Sequence, residues 1–153
     1  KKIYVNVPDK KLIEVIDLKK NIVVDKWKMT KVISNFPMSL DALHHRLFIG
    51  CRYAPTLLII NTQTGNIISS LDIDRDTDDI FYNTNNKQLY LSCGAGYVDI
   101  FKQIDANTYI IEEKIPTSFG ARTSLFIPEL NQLVVACPSF SNHNASLLIY
   151  TIK

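Results

Sequence analysis

At 153 residues, 46% hydrophobic and 21% charged, the chain has the make-up of one globular domain, not of a disordered or fibrous segment. Its formal net charge of +2, with lysines in short pairs such as Lys10-Lys11 and Lys19-Lys20, is too small to call for a nucleic-acid or anionic-membrane surface. No apolar run has the length of a transmembrane helix, and no signal-peptide pattern is visible from Lys1 onward.

The first apolar segment, Ile3-Tyr4-Val5-Asn6-Val7, is followed by Leu12 to Leu18 and by Ile22 to Met29. The last of these carries Asp25-Lys26-Trp27-Lys28, a polar pattern suited to an outer edge strand. Phe36 to Leu40 comes next, and the first pattern then returns as Leu47-Phe48-Ile49-Gly50-Cys51. Leu57 to Ile60, Ile67 to Ile73 and Ile80 to Tyr82 follow it. The pattern returns again as Leu89-Tyr90-Leu91-Ser92-Cys93, with Val98 to Phe101, Tyr109 to Ile115 and Thr123 to Ile127 behind it. It appears a last time as Leu133-Val134-Val135-Ala136-Cys137, before Leu147 to Tyr150. The four related segments start 44, 42 and 44 residues apart. Turn residues such as Asn61 to Asn66, Asn83 to Asn86 and Asp105-Ala106-Asn107 separate the segments. Val, Ile, Leu, Phe and Tyr dominate, and no stretch sustains a 3.6-residue apolar period with caps, so almost no helix is expected.

Four strands per unit at a period of about 40–50 residues is the signature of β-propeller blades. The predicted fold is all-β: a β-propeller fragment of four-stranded antiparallel blades, about three and a half of them, with fourteen strands. With strands labelled a (inner) to d (outer), the blades are 1–29 (partial, b-c-d), 35–73 (full), 78–115 (full) and 122–153 (partial, a-b-c). A ring of blades has to close, because open strand edges invite aggregation. Two identical chains joined head to tail would set a-b-c beside b-c-d, which does not make whole four-stranded blades. The expected partner is therefore the remaining blades of the same polypeptide, N-terminal to Lys1, one of whose strands completes the last blade.

Six motifs carry a family resemblance: Tyr4-Val5-Asn6-Val7-Pro8, Asn35-Phe36-Pro37-Met38, Arg46 to Arg52, Asp76-Thr77-Asp78-Asp79-Ile80-Phe81-Tyr82, Leu89 to Gly96 and Gly120-Ala121-Arg122-Thr123-Ser124-Leu125-Phe126. They resemble the bacterial YncE-like propellers built from YVTN repeats, over essentially the whole chain. The resemblance implies a secreted or periplasmic protein of about six to eight blades. Propellers of this kind serve many functions, so the fold alone carries little about activity.

In a four-stranded blade the b–c and d–a connections share one face, and the a–b and c–d turns share the other. The b–c loops contain Pro8-Asp9, Arg52-Tyr53, Gly94 to Tyr97 and Pro138 to Asn144; the d–a loops contain Thr30 to Asn35, Asp74 to Asp79 and Pro116 to Arg122. The candidate ligand-binding residues Asn35, Arg52, Asp76, Asp78, Asp79 and Arg122 thereby gather on one face, which is the expected binding site. The competing role is structural, since charges at blade junctions pair with backbone amides or with each other. Asp76, Asp78 and Asp79 also fall in the densest acidic run and can present oxygens to calcium or another divalent cation. The EF-hand pattern fails there: counted from Asp74, the sixth position is Asp79 rather than Gly, and the twelfth is Asn85 rather than Glu.

Cys51, Cys93 and Cys137 recur at spacings of 42 and 44 residues. Equivalent positions on adjacent blades stand about 10 Å apart, beyond the roughly 7 Å reach of a disulfide, so free buried thiols are expected. His44 and His45 fall on the opposite face, and His143 lies in a b–c loop. No Ser-His-Asp order, H-E-x-x-H, P-loop or dinucleotide fingerprint appears, and no catalytic residue is assigned. The function read from the chain is a non-catalytic binding or scaffold propeller of the cell envelope, without a cofactor, holding a protein or small-molecule partner on the b–c and d–a face. Two alternatives are a metal-dependent, lactonase-like hydrolase with its site at the central channel, and a single-stranded nucleic-acid binder, which requires basic grooves and stacking aromatics.

Overall fold

The computed structural model describes residues 1–29, 33–141 and 143–152, the side chains of Ile33 and Asn35 excepted. Fourteen strands run through them in four separate sheets. β1 (Lys2–Val7), β2 (Leu12–Asp17) and β3 (Ile22–Lys28) form the first sheet. The second holds β4 (Ile33–Asp41), β5 (Arg46–Tyr53), β6 (Thr56–Asn61) and β7 (Ile67–Asp72). The third holds β8 (Thr77–Asn83), β9 (Gln88–Cys93), β10 (Tyr97–Gln103) and β11 (Tyr109–Pro116). β12 (Thr123–Ile127), β13 (Gln132–Cys137) and β14 (Ser146–Thr151) make the fourth. Each sheet is an antiparallel meander in chain order. Two single 3-10 turns, Pro8–Lys10 and Pro128–Leu130, are the helical content among the described residues.

The sheets stack face to face, and this explains their apolar runs. β5 is covered on both sides: Leu47, Ile49 and Cys51 pack against Ile13, Val15 and Trp27 of the first sheet, while Phe48 packs with Leu89 and Leu91 of the third. A strand buried on both faces reads as a continuous apolar stretch rather than an alternating one. A third apolar layer, with Tyr90, Val98, Leu133 and Val135, joins the third sheet to the fourth. Trp27 belongs to the first layer, and Gly65, at φ +75°, makes room for its ring. Cys51, Cys93 and Cys137 are buried free thiols.

β4, β8 and β12, the first strands of the last three sheets, lie beside one another in turn. Gly50 permits part of this convergence, because a Cβ there would come within 2.8 Å of both Pro37 and Thr77. The repeat is also visible in the irregularities. β-Bulges break the pairing at Val15/Ile16, Ile59/Ile60 and Ile100/Phe101, the same place in three successive sheets. Two further bulges lie between Asn35 and Met38 and between Thr77 and Asp79. These sit where β4 and β8 begin, beside the loops that carry the candidate site.

Candidate functional site

The loop after β7 ends on Asp76, whose φ of 63° turns the chain sharply into β8. The bulge between Thr77 and Asp79 then leaves Asp78 without a partner in the ladder, and bulges of this kind re-aim side chains. The result is a closed ring of four charges. Arg52, from the end of β5, donates from Nη2 to Asp78 Oδ1 at 2.5 Å and from Nε to the Thr77 carbonyl at 3.0 Å. Its Nε also stands 3.5 Å from Asp76 Oδ1. Arg122, just before β12, donates from Nη1 to Asp76 Oδ2 at 2.5 Å, with Nε 3.6 Å from Asp78 Oδ2. Each carboxylate thus touches both guanidinium groups, and residues 52, 76, 78 and 122 tie the second, third and fourth sheets together. Gly94 lies under this ring: a Cβ there would overlap the Asp76 carboxylate. Its missing side chain therefore makes room for Asp76.

Asp79 stands apart from the ring. Its Oδ2 accepts a hydrogen bond from the Ser124 backbone amide at 2.7 Å, which joins β8 to β12. Burial raises its pKa, partly offset by that amide. The side chain of Asn35 lies outside the described residues; its backbone pairs with Cys51. Of the acidic run proposed for a cation, Asp76 and Asp78 are engaged by arginine and Asp79 by an amide. Among the described residues no group of three or more His, Cys, Asp and Glu side chains is arranged to hold a metal ion. Burial pushes the Cys51 thiol up to about 12 and the Cys93 thiol higher, which suppresses their thiolates at neutral pH.

A second charged cluster lies below the same loop. The fully buried Asp99 accepts the Asp74 amide on Oδ2 at 2.7 Å, and Lys114 Nζ lies 2.9 Å from Asp74 Oδ2 and 3.6 Å from Asp99 Oδ1. Oδ1 of Asp99 has no hydrogen bond among the described residues. Burial lifts the Asp99 carboxyl to about 6.

Sequence reasoning did not single out the aromatics of this face. Among the described residues the exposed large aromatics are Phe36, Tyr53, Tyr97, Phe119 and Phe140, and all five lie on or beside the b–c and d–a connections. Phe119 and Phe140 pack on each other at 5.4 Å, and the Arg52 guanidinium sits 5.0 Å from the Phe36 ring centre. The available signal was an aromatic within a Gly-, Ser- or Pro-rich loop, as in Ser118-Phe119-Gly120 and Ser139-Phe140-Ser141. A cleft of about 600 Å³ opens between Phe36, Tyr53 and Arg75. The opposite face carries an inter-sheet clamp: Arg46 donates to the carbonyls of His44, His45 and Ala106 and to Asn107 Oδ1, at 2.7 to 3.0 Å.

No family model and no curated protein matches the sequence. Among solved structures, the Kuenenia stuttgartiensis hydrazine synthase matches 98% of this chain with a TM-score of 0.84 at 12% identity. A chain of the mitotic checkpoint complex matches 90% of it with a TM-score of 0.77 at 13% identity. The present chain spans 42% and 44% of those two chains. At such identities the likeness establishes the fold: all-β, of the β-propeller type.

Proposed function

We propose that this chain is part of a binding or scaffold propeller whose partner docks on the face carrying the b–c and d–a loops. The observation that carries this reading is the gathering of the exposed aromatics on that one face, around the Arg52–Asp76–Asp78–Arg122 ring. Aromatic and arginine side chains dominate the energetic centres of protein interfaces, and rigid ones bind at low entropic cost. Phe36 and Arg52 are held by mutual contact, and Phe119 and Phe140 by each other. A protein partner fits better than a nucleic-acid strand, because Asp76 and Asp78 neutralise two of the arginines that would otherwise track phosphates. The resemblance to YVTN-repeat propellers supports a periplasmic or secreted location, which fractionation of the native source would check. The neighbours' greater length supports further blades beyond this chain.

The test compares three proteins against a partner isolated from the native source: the unchanged chain, a Phe119→Ser/Phe140→Ser double variant, and Leu43→Ser on the opposite face. The double variant is expected to weaken binding at least about tenfold, the scale of an interface hot spot, with Leu43→Ser near neutral. Loss through Leu43→Ser alone would overturn the proposed face. Steep salt dependence of oligothymidylate binding would favour the nucleic-acid alternative instead.

A further inference from the structure

Three features coincide at the cleft beside Phe36. First, its backbone is held in an unusual shape. Ser34, Ala54 and Asp76 all line it, and all three are non-glycine residues in the left-handed region, at φ 60°, 42° and 63°. Such conformations are unfavourable for residues that carry a side chain and persist where surrounding structure enforces them. Second, its lining includes two exposed aromatics, Phe36, which carries the Arg52 guanidinium on its ring, and Tyr53. Third, its charge is unbalanced. Asp76 also lines the cleft, but its carboxylate is held by Arg122 and Arg52. The neighbouring Arg75 is exposed; its carbonyl accepts from the Ala95 amide at 3.2 Å, but its guanidinium has no ion-pair or hydrogen-bond partner among the described residues. A rigid apolar slot with one uncommitted guanidinium at its rim matches a ligand that joins an apolar body to a single negative charge. A carboxylate suits the guanidinium fork. A phosphate would bring additional charge toward the Asp76 wall.

Resting on the binding-face reading above, we propose that this cleft takes an acidic peptide segment, with an aromatic or large aliphatic side chain between Phe36 and Tyr53 and an adjacent carboxylate on Arg75. It serves as the specificity pocket of the larger docking face.

The probe is a pair of blocked dipeptides, acetyl-Trp-Glu amide and acetyl-Trp-Gln amide, titrated into the full-length protein and followed through the Ala54 methyl resonance. The acidic dipeptide is expected to shift that resonance saturably and to bind about fivefold tighter than the neutral one, the scale of one exposed charge pair. Arg75→Gln should abolish the difference, and Arg75→Lys should restore part of it. Because the Arg75 side chain is exposed and holds no partner among the described residues, its replacement should leave the fold intact, which an unchanged Tm verifies. Equal binding of the two dipeptides, a preference that survives Arg75→Gln, or stronger displacement by inorganic phosphate or oligothymidylate would overturn the assignment. A failure here with Phe119 and Phe140 still required for the partner would sink the pocket and leave the docking face standing. Partner binding that ignores those two phenylalanines would sink the face itself.

Discussion

Asp99 is a carboxylate with no route to water, and its environment sets a pH dependence for the whole protein. Burial raises its pKa from 3.8 to about 6, against the opposing help of the Asp74 amide. Between these two values the folded chain holds a proton that the unfolded chain has already released, so stability falls as pH rises through this window. Asp74 moves the other way: burial raises it, but Lys114 outweighs that and leaves it below its usual value, so its effect falls at lower pH. Asp99→Asn keeps an oxygen for the Asp74 amide and removes the buried charge. It is expected to flatten the stability profile between about pH 4 and 6 and to gain roughly 1–3 kcal/mol at pH 7. Urea melts of both proteins at four pH values would measure this, and parallel profiles would count against it. Asp79, also raised by burial, contributes equally to both proteins and cancels in the difference.

Strands and loops separate stability from function in a way that two arginines can report. Arg46 starts β5, is 8% exposed, and serves four acceptors that span the second and third sheets. Arg46→Met keeps the apolar stem but strands those acceptors, at an expected cost of about 2–3 kcal/mol. Arg52, next to last in the same strand, sits in the partly exposed ring, where an ion pair contributes about 0–1 kcal/mol, so Arg52→Met should cost less than half as much. Equal losses in denaturant melts would recast the ring as a structural clamp. The recurring Leu47–Cys51 pattern was enough to reveal the strands, because inter-sheet burial imposes the same apolar residues at each repeat. The ends were less legible: β4 starts at Ile33 rather than Phe36, since backbone pairing continues past the apolar stretch. The two bulges left no mark either, as neither Asn35-Phe36-Pro37 nor Thr77-Asp78-Asp79 contains the glycine that announces some bulges. The common face of Arg52, Asp76, Asp78 and Arg122 followed from strand order, but their mutual pairing did not. It joins residues up to 46 positions apart through side-chain directions that only the bulge and the turn at Asp76 define.

The first and fourth sheets, at the two ends of the stack, each turn an apolar face outward. On the outward face of the fourth sheet, Leu125, Val134 and Ile149 form one cross-strand row, and Ala136 and Leu147 continue the next. Leu147 is 66% exposed and Ile149 60%. The first sheet repeats this with Ile3, Ile16 and Val23 in a row. Sheet faces of this composition bury themselves against a neighbour, and in a propeller that neighbour is another blade. If further blades of the polypeptide cover the fourth sheet, Ile149 becomes a core residue of the complete protein while staying a surface residue of the 153-residue chain. Ile149→Ala then has two different consequences. It should change the stability of the 153-residue chain by no more than about 0.5 kcal/mol, the usual surface value. In the complete polypeptide it should cost about 2–4 kcal/mol, as expected for emptying a packed site. Matched denaturant melts of the two lengths read the contrast directly. A small effect in both would leave the end face open to solvent or to a separate partner, and the covering blade would have to be abandoned.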